Sequence, residues 1–287
     1  MRPSRALPLL LLALGCLAVS TPAQSEADCS EVSGIGCYYA PDDLRNPGQP
    51  DLLIYFRGHI LVNAHPEWRT THPDWVTQFR NVSPGRIQDS LLLASARQAF
   101  SYYGLKGVAD AAHLAILVTG SSHIPVQPAT LQGLAAEQLR LKARRFGTVH
   151  LASHSGGYVG LGASRLPADA GSGRLETVRG FGSVLLLDTF YNPAGLAGTL
   201  KTYQNAGAAC GGYYTPHNAA RAAAFKRSCD LKSFDSDAQH ETQVGPILIS
   251  SLLSYYGDRK TAAGPGSQGA HWENHGDFVS KYDSPKF

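Results

Sequence analysis

The run Thr148-Val149-His150-Leu151-Ala152-Ser153-His154-Ser155-Gly156-Gly157-Tyr158 decides how this chain is read. Thr148 to Ala152 has the length and apolarity of a buried strand, and a glycine-rich helix is expected from Gly156. Small–x–Ser–x–Gly between a strand and a helix meets the demand of a very sharp turn. The central residue of such a turn takes strained backbone, and only small residues fit two places before and after it. Ser153 and Gly157 hold those places, with Ser155 at the centre. The Ser155 hydroxyl is then held clear of the sheet beside a helix start, whose free N–H groups favour a developing oxyanion. A helix-capping Ser155 in some other strand–helix turn is the plainer alternative. The apolar strand before it and Gly-Gly after it favour a nucleophile.

Working outward, strand-length apolar runs alternate with amphipathic helical segments. Leu52 to Phe56 is a continuous apolar run ending at Arg57-Gly58. Leu92, Ala96, Ala99, Phe100 and Tyr103 recur at helical spacing, with Asp89 as cap and Gly104 as stop. Further strands are expected at His113 to Thr119, Gly182 to Leu187 and Ala209 to Thr215. Helices are expected over Leu131 to Phe146 and Asn218 to Arg227, while Pro246 to Tyr256 suits either a strand or a helix. This alternation makes βαβ units, hence an α/β domain with a mostly parallel central sheet and helices on both faces. The expected organisation is a secretory signal over 1–23, a turn-rich arm over 24–50 and a catalytic domain over 51–287.

The 287 residues are 43% apolar and 16% charged, enough for a sizeable core. Formal net charge is +3, and loss of Arg2 and Arg5 with a signal segment brings the chain close to neutrality. A near-neutral chain has no electrostatic footprint for nucleic acid or anionic lipid. With Ser155 as a nucleophile, the partner expected is a small-molecule or acyl/peptidyl substrate, and no cofactor is implied. Arg2 and Arg5, the apolar stretch from Ala6 to Val19 and small residues to Ala23 read as an export signal, too short to span a bilayer comfortably. The expected location is therefore secreted or periplasmic. Leu12-Ala13-Leu14-Gly15-Cys16 offers a rival, a lipid anchor at Cys16.

Cleavage after Ala23 leaves Cys29, Cys37, Cys210 and Cys229. An even count in an exported chain suggests two disulfides, and of three pairings local closure favours Cys29–Cys37 and Cys210–Cys229. CxxC-like spacing is lacking, so thiolate zinc is not expected.

The elbow and the strand sequence around it resemble the α/β-hydrolase superfamily over roughly residues 50 to 280. The family motif is G-x-S-x-G, and Ser153 replaces its first glycine. The resemblance implies a serine hydrolase with chain order Ser, acid, His. Asp188 closes the apolar run Ser183 to Leu187 and is the strand-end acid; most members place the acid one strand later, a minority here. The base is expected near the C-terminus, at His271 in preference to His275. The oxyanion hole falls to the N–H groups of Gly156 and His59, the latter in Arg57-Gly58-His59 where members commonly carry His-Gly. A buttressing salt bridge is expected of Arg57. Metal-dependent hydrolysis through His271 and His275 is the weaker alternative, because Glu273 at i+2 does not make the H-E-x-x-H zinc pattern. A non-catalytic binding module on the same scaffold is the other. The long 63–85 loop, with Trp68, Trp75 and Phe79, is the expected lid or binding loop.

Overall fold

The computed structural model describes residues 29–58, 89–137, 145–164, 166 and 178–261. In β3 (Leu52–Phe56) every side chain is buried: Leu52, Ile54 and Phe56 face one hydrophobic cluster, Leu53 and Tyr55 the other. A strand apolar on both faces needs cover above and below. That cover comes from two groups of helices. Leu131 and Leu134 of α3 (Pro128–Glu137), Leu161 of α4 (Tyr158–Ala163) and Leu196 and Leu200 of α5 (Pro193–Asn205) close the first face. Phe100 of α1 (Asp89–Tyr102), Val108 of α2 (Leu105–Ala112) and Leu248 and Leu252 of α8 (Val244–Thr261) close the second.

The remaining strands are β1 (Ser30–Val32), β2 (Gly36–Tyr39), β4 (Ala115–Thr119), β5 (Phe146–His154), β6 (Val178–Leu187), β7 (Ala209–Tyr214) and β8 (Asp230–Ser233). They form one eight-stranded sheet in the order β1-β2-β4-β3-β5-β6-β7-β8. β1 pairs antiparallel with β2, and β2 with β4; every other pairing is parallel. The class is thus α/β with a mixed, mostly parallel sheet. Two short helices, α6 (Ala219–Ala222) and α7 (Gln239–Thr242), follow β7 and β8.

The turn-rich N-terminal stretch is part of this sheet. Disulfide Cys29–Cys37 closes the β1–β2 hairpin, and Cys37 lies opposite Val118 of β4. Disulfide Cys210–Cys229 links β7 to the segment entering β8. Two intrachain bridges suit an oxidising compartment. Among the described residues, no helix is long and apolar enough to cross a membrane.

Several element ends differ from the sequence expectation. Asp89 is the first residue of α1, and its carboxylate is taken by Ser33 Oγ and by Gly34 N at 3.2 Å, so it ties the helix to the hairpin. Gly104 does stop that helix, in left-handed backbone at φ 61°, and α2 begins directly after it. Phe146 and Gly147 open β5 instead of closing a helix. A side chain at Gly147 would meet Asp51 Oδ1 at 2.5 Å and the Gln49 carbonyl at 2.7 Å, so close packing explains this glycine. Pro246 to Tyr256 belongs to the helix α8.

Candidate active site at the carboxyl ends of the central strands

β5 lies between β3 and β6, with Ser153 opposite Phe56 and His154 opposite Leu187. The residue after β5 therefore emerges at the centre of the sheet's carboxyl edge, where ligands meet a parallel sheet. That residue is Ser155, with φ 51°, opening a 3-10 turn over Ser155–Gly157 that leads into α4. Left-handed backbone costs a non-glycine residue on the order of 1–3 kcal/mol. The surroundings hold it there. Thr189 Oγ1 donates to the Ser155 carbonyl at 2.7 Å, and the Ser153 hydroxyl donates to Thr189 Oγ1 at 2.8 Å. A β-carbon at Gly157 would collide with the Phe56 carbonyl, and one at Gly58 would meet Ser155 Cβ at 2.5 Å and Oγ at 3.2 Å. The Arg57-Gly58 backbone thus lies against the Ser155 side chain. His59, the expected second oxyanion donor, is outside the described residues.

Asp188 is the other strained residue at this edge, with φ 48°, and is 2% exposed. Its Oδ1 accepts from Thr215 N at 2.8 Å, Asn218 Nδ2 at 2.9 Å and Thr215 Oγ1 at 3.1 Å. Its Oδ2 accepts from His240 Nδ1 at 2.7 Å. Burial raises the Asp188 pKa, but the hydrogen bonds from His240, Thr215 and Asn218 more than offset this, and the carboxyl is held below its usual range.

His240 sits in α7, in the segment after β8, and is the histidine that reaches the strand-end acid. With Nδ1–H donated to Asp188, Nε2 is the ring nitrogen left for proton transfer when the imidazole is neutral. Glu241 Oε1 is 3.5 Å from that nitrogen, and Glu241 Oε2 accepts from Tyr103 OH at 2.5 Å. Among the described residues, Ser155 and His240 are not hydrogen-bonded to each other. No sequence pattern pairs His240 with Asp188, and the bases expected from the sequence lie near the C-terminus. His271 and His275 both lie outside the described residues.

His154, next to the serine, is 1% exposed and packed against the His240 ring at 4.5 Å and the Tyr103 ring at 5.1 Å. Its Nε2–H donates to the His240 carbonyl at 3.2 Å, while Nδ1 is buried without a hydrogen-bond partner. Burial, reinforced by His240, holds its pKa well below 6.5. Arg57 is buried as well, but no salt bridge buttresses it among the described residues. Its Nη1 donates instead to the Ser95 carbonyl at 2.6 Å and to the Ser95 hydroxyl. At the rim, Tyr191 is 42% exposed, and Arg221, bonded to Asn218 Oδ1 at 2.9 Å, stands over its ring. Ligand atoms of His154, His240 and Glu241 lie within 4.8 Å of one another, a set able to hold a metal ion.

A separate cavity of about 450 Å³, bounded by Arg45, Asp51, Thr148 and Phe181, opens at the amino ends of the strands. It is remote from Ser155 and Asp188, so the chemistry and not the volume locates the candidate site. His150 belongs to that end of the sheet. It contacts Ser183 Oγ at 2.9 Å and Tyr256 OH at 3.2 Å, and Tyr256 in turn donates to Asp51 Oδ2 at 2.8 Å.

Two perturbed groups at the carboxyl edge, His154 and Asp188, make stability depend on pH in the same direction. The folded state keeps His154 neutral, whereas the unfolded chain protonates it below about 6.5. Between the two values the unfolded state binds more protons, so stability falls as pH falls. Asp188 contributes stability above its unfolded value, near 3.9, that is lost only as pH drops through its lower folded value. The melting temperature is expected to decline from pH 7 to pH 5, with a shallower slope in His154→Gln. Identical slopes in the two proteins would remove His154 as the cause.

No protein-family model matches the sequence, and no characterised protein matches it either.

Proposed function

We propose that this chain is an exported serine hydrolase acting on a carboxylic ester or amide. The mostly parallel eight-stranded sheet, with a sharp serine turn at its centre, is compatible with an α/β-hydrolase-like fold. The observation that carries the reading is a left-handed Ser155 beside a formed Asp188–His240 pair on adjacent strand ends. A serine hydroxyl is a weak nucleophile until a base takes its proton, and that base needs an orienting carboxylate.

In this reading Ser155 Oγ attacks the substrate carbonyl as its proton passes to His240 Nε2. Asp188 keeps the His240 proton on Nδ1 and stabilises the imidazolium that forms. The Gly156 N–H, following the nucleophile, faces the oxyanion of the tetrahedral intermediate. His240 then returns the proton to the leaving alkoxide or amine, leaving an acyl-enzyme, and a water activated by the same base releases the acid. The Ser155–His240 hydrogen bond is formed as substrate binds; catalytic hydrogen bonds commonly tighten only in the complex.

Labelling with a fluorophosphonate tests the reading, since the probe reports an activated serine without knowledge of the substrate. Wild-type mature protein is expected to label and Ser155→Ala to lose the label entirely. A folded, oxidised wild type that resists the probe, and hydrolyses no member of a panel of acyl esters and amides, would leave the binding-module reading in its place.

A further inference from the structure

We infer that His154, His240 and Glu241 form a zinc site that includes the base of the proposed hydrolase. The inference rests on that reading only for its effect on catalysis; the site itself is read from one ligand atom each of His154, His240 and Glu241, all within 4.8 Å of one another. His240 gives Nδ1–H to Asp188, which leaves Nε2 as the nitrogen able to ligate a metal. His154 gives Nε2–H to the His240 carbonyl, which leaves its buried Nδ1 as an acceptor with no donor to meet it. Glu241 gives Oε2 to the Tyr103 hydroxyl, which leaves Oε1 facing His240 Nε2 at 3.5 Å. A cation here takes the place of the proton that would otherwise lie between His240 Nε2 and Glu241 Oε1.

The donor set and its surroundings suit zinc in particular. Two imidazoles and a carboxylate form a common zinc ligand set with one position left open. Zinc bonds of 2.0–2.2 Å put tetrahedral ligand atoms about 3.4 Å apart. His240 Nε2 and Glu241 Oε1 already stand at 3.5 Å, and ligand atoms of all three residues lie within 4.8 Å of one another, so small side-chain shifts close the site. Each ligand also has the outer partner that zinc ligands normally carry: a carboxylate on the far nitrogen of His240, a carbonyl on the far nitrogen of His154, and a phenol on the far oxygen of Glu241. His240 and Glu241 are partly open to solvent, which gives the ion a way in.

Zinc bound here occupies the lone pair that must take the Ser155 proton, so it inhibits hydrolysis reversibly. The first measurement is a Zn²⁺ titration of full-length mature Ser155→Ala by calorimetry, because this variant keeps all three ligands and has no turnover. One equivalent of zinc is expected to bind. Glu241→Gln is expected to weaken binding at least about tenfold, and Tyr103→Phe by about 10–100-fold through loss of the outer partner. Co²⁺ in place of zinc should give visible absorption bands that Glu241→Gln abolishes. Circular dichroism confirms that each variant is folded, and Tyr103→Phe keeps every ligand in place if Glu241→Gln fails that check. An absence of binding overturns the inference and leaves the hydrolase reading intact. Binding unaffected by both substitutions also overturns it, because the ion then sits elsewhere. Binding that follows the variants, in a protein that neither labels with fluorophosphonate nor hydrolyses any acyl substrate, supports the site and sinks the hydrolase reading alone.

Discussion

His240→Gln is expected to lower kcat/KM for an acyl ester by about 10⁴-fold or more, with the fold unchanged. Glutamine can still donate to Asp188 Oδ2, which accepts from His240 Nδ1 at 2.7 Å, but it has no group to receive the serine proton. The imidazole is partly exposed, so its loss leaves no large cavity. Run beside it, His271→Gln and His275→Gln should stay close to wild type. Steady-state kinetics on the three variants, with thermal melts as the folding control, decides between the candidate bases. Should His271→Gln lose activity while His240→Gln retains it, the Asp188–His240 pair would be a structural contact and the base would lie in the C-terminal segment.

How much of this site could be read from the sequence follows from how local each constraint is. The serine turn was legible because its demands fall within a few residues: an apolar strand, a small residue at Ser153, and Gly157 where any β-carbon meets the Phe56 carbonyl. Asp188 was legible for a similar reason, since a carboxylate ending a wholly apolar strand needs partners if it is to be buried. Those partners, Thr215 and Asn218, lie beyond the next strand and carry no signal that pairs them with an acid. His240 was illegible. It belongs to Gln239–Thr242, a four-residue polar helix with no apolar period, and nothing nearby in sequence says which strand end it approaches. Only the order of β6, β7 and β8 across the sheet brings it back to Asp188.

The same distinction holds for the fold. Runs buried on both faces, such as Leu52–Phe56 and Ala115–Thr119, could be read directly as parallel core strands. β1 and β2 could not, because Ser30–Val32 and Gly36–Tyr39 are short, and their membership of the sheet depends on pairing with β4 far along the chain. Gly147 misled in a more specific way. A glycine after an apolar helical stretch reads as a stop, whereas here it makes room for Asp51, whose Oδ1 then accepts from Thr148 N at 2.6 Å. Local rules report the backbone a glycine permits; they do not report what packs against it.

Asp188→Asn is expected to cost about 10⁴-fold in kcat while leaving the protein folded, and the hydrogen bonds say why. Oδ1 accepts from Thr215 N, Thr215 Oγ1 and Asn218 Nδ2, and an asparagine oxygen in that place keeps all three. Its amide nitrogen then occupies the Oδ2 position and presents a donor to His240 Nδ1 in place of an acceptor. The imidazole answers by moving its proton to Nε2. A neutral ring with Nε2–H has no lone pair for the Ser155 proton, so the base is lost with almost no change of shape. The positive charge that develops on His240 also loses its counter-charge. Asp188→Ala separates the two roles: it removes the acceptor for Thr215 and Asn218 as well, leaving buried donors unpaired, and should melt well below Asp188→Asn. The pair is checked by kcat on an acyl ester, with melting curves alongside. An Asp188→Asn enzyme within tenfold of wild type would mean that His240 is not held by Asp188 during turnover, and the proposed proton path would have to be abandoned.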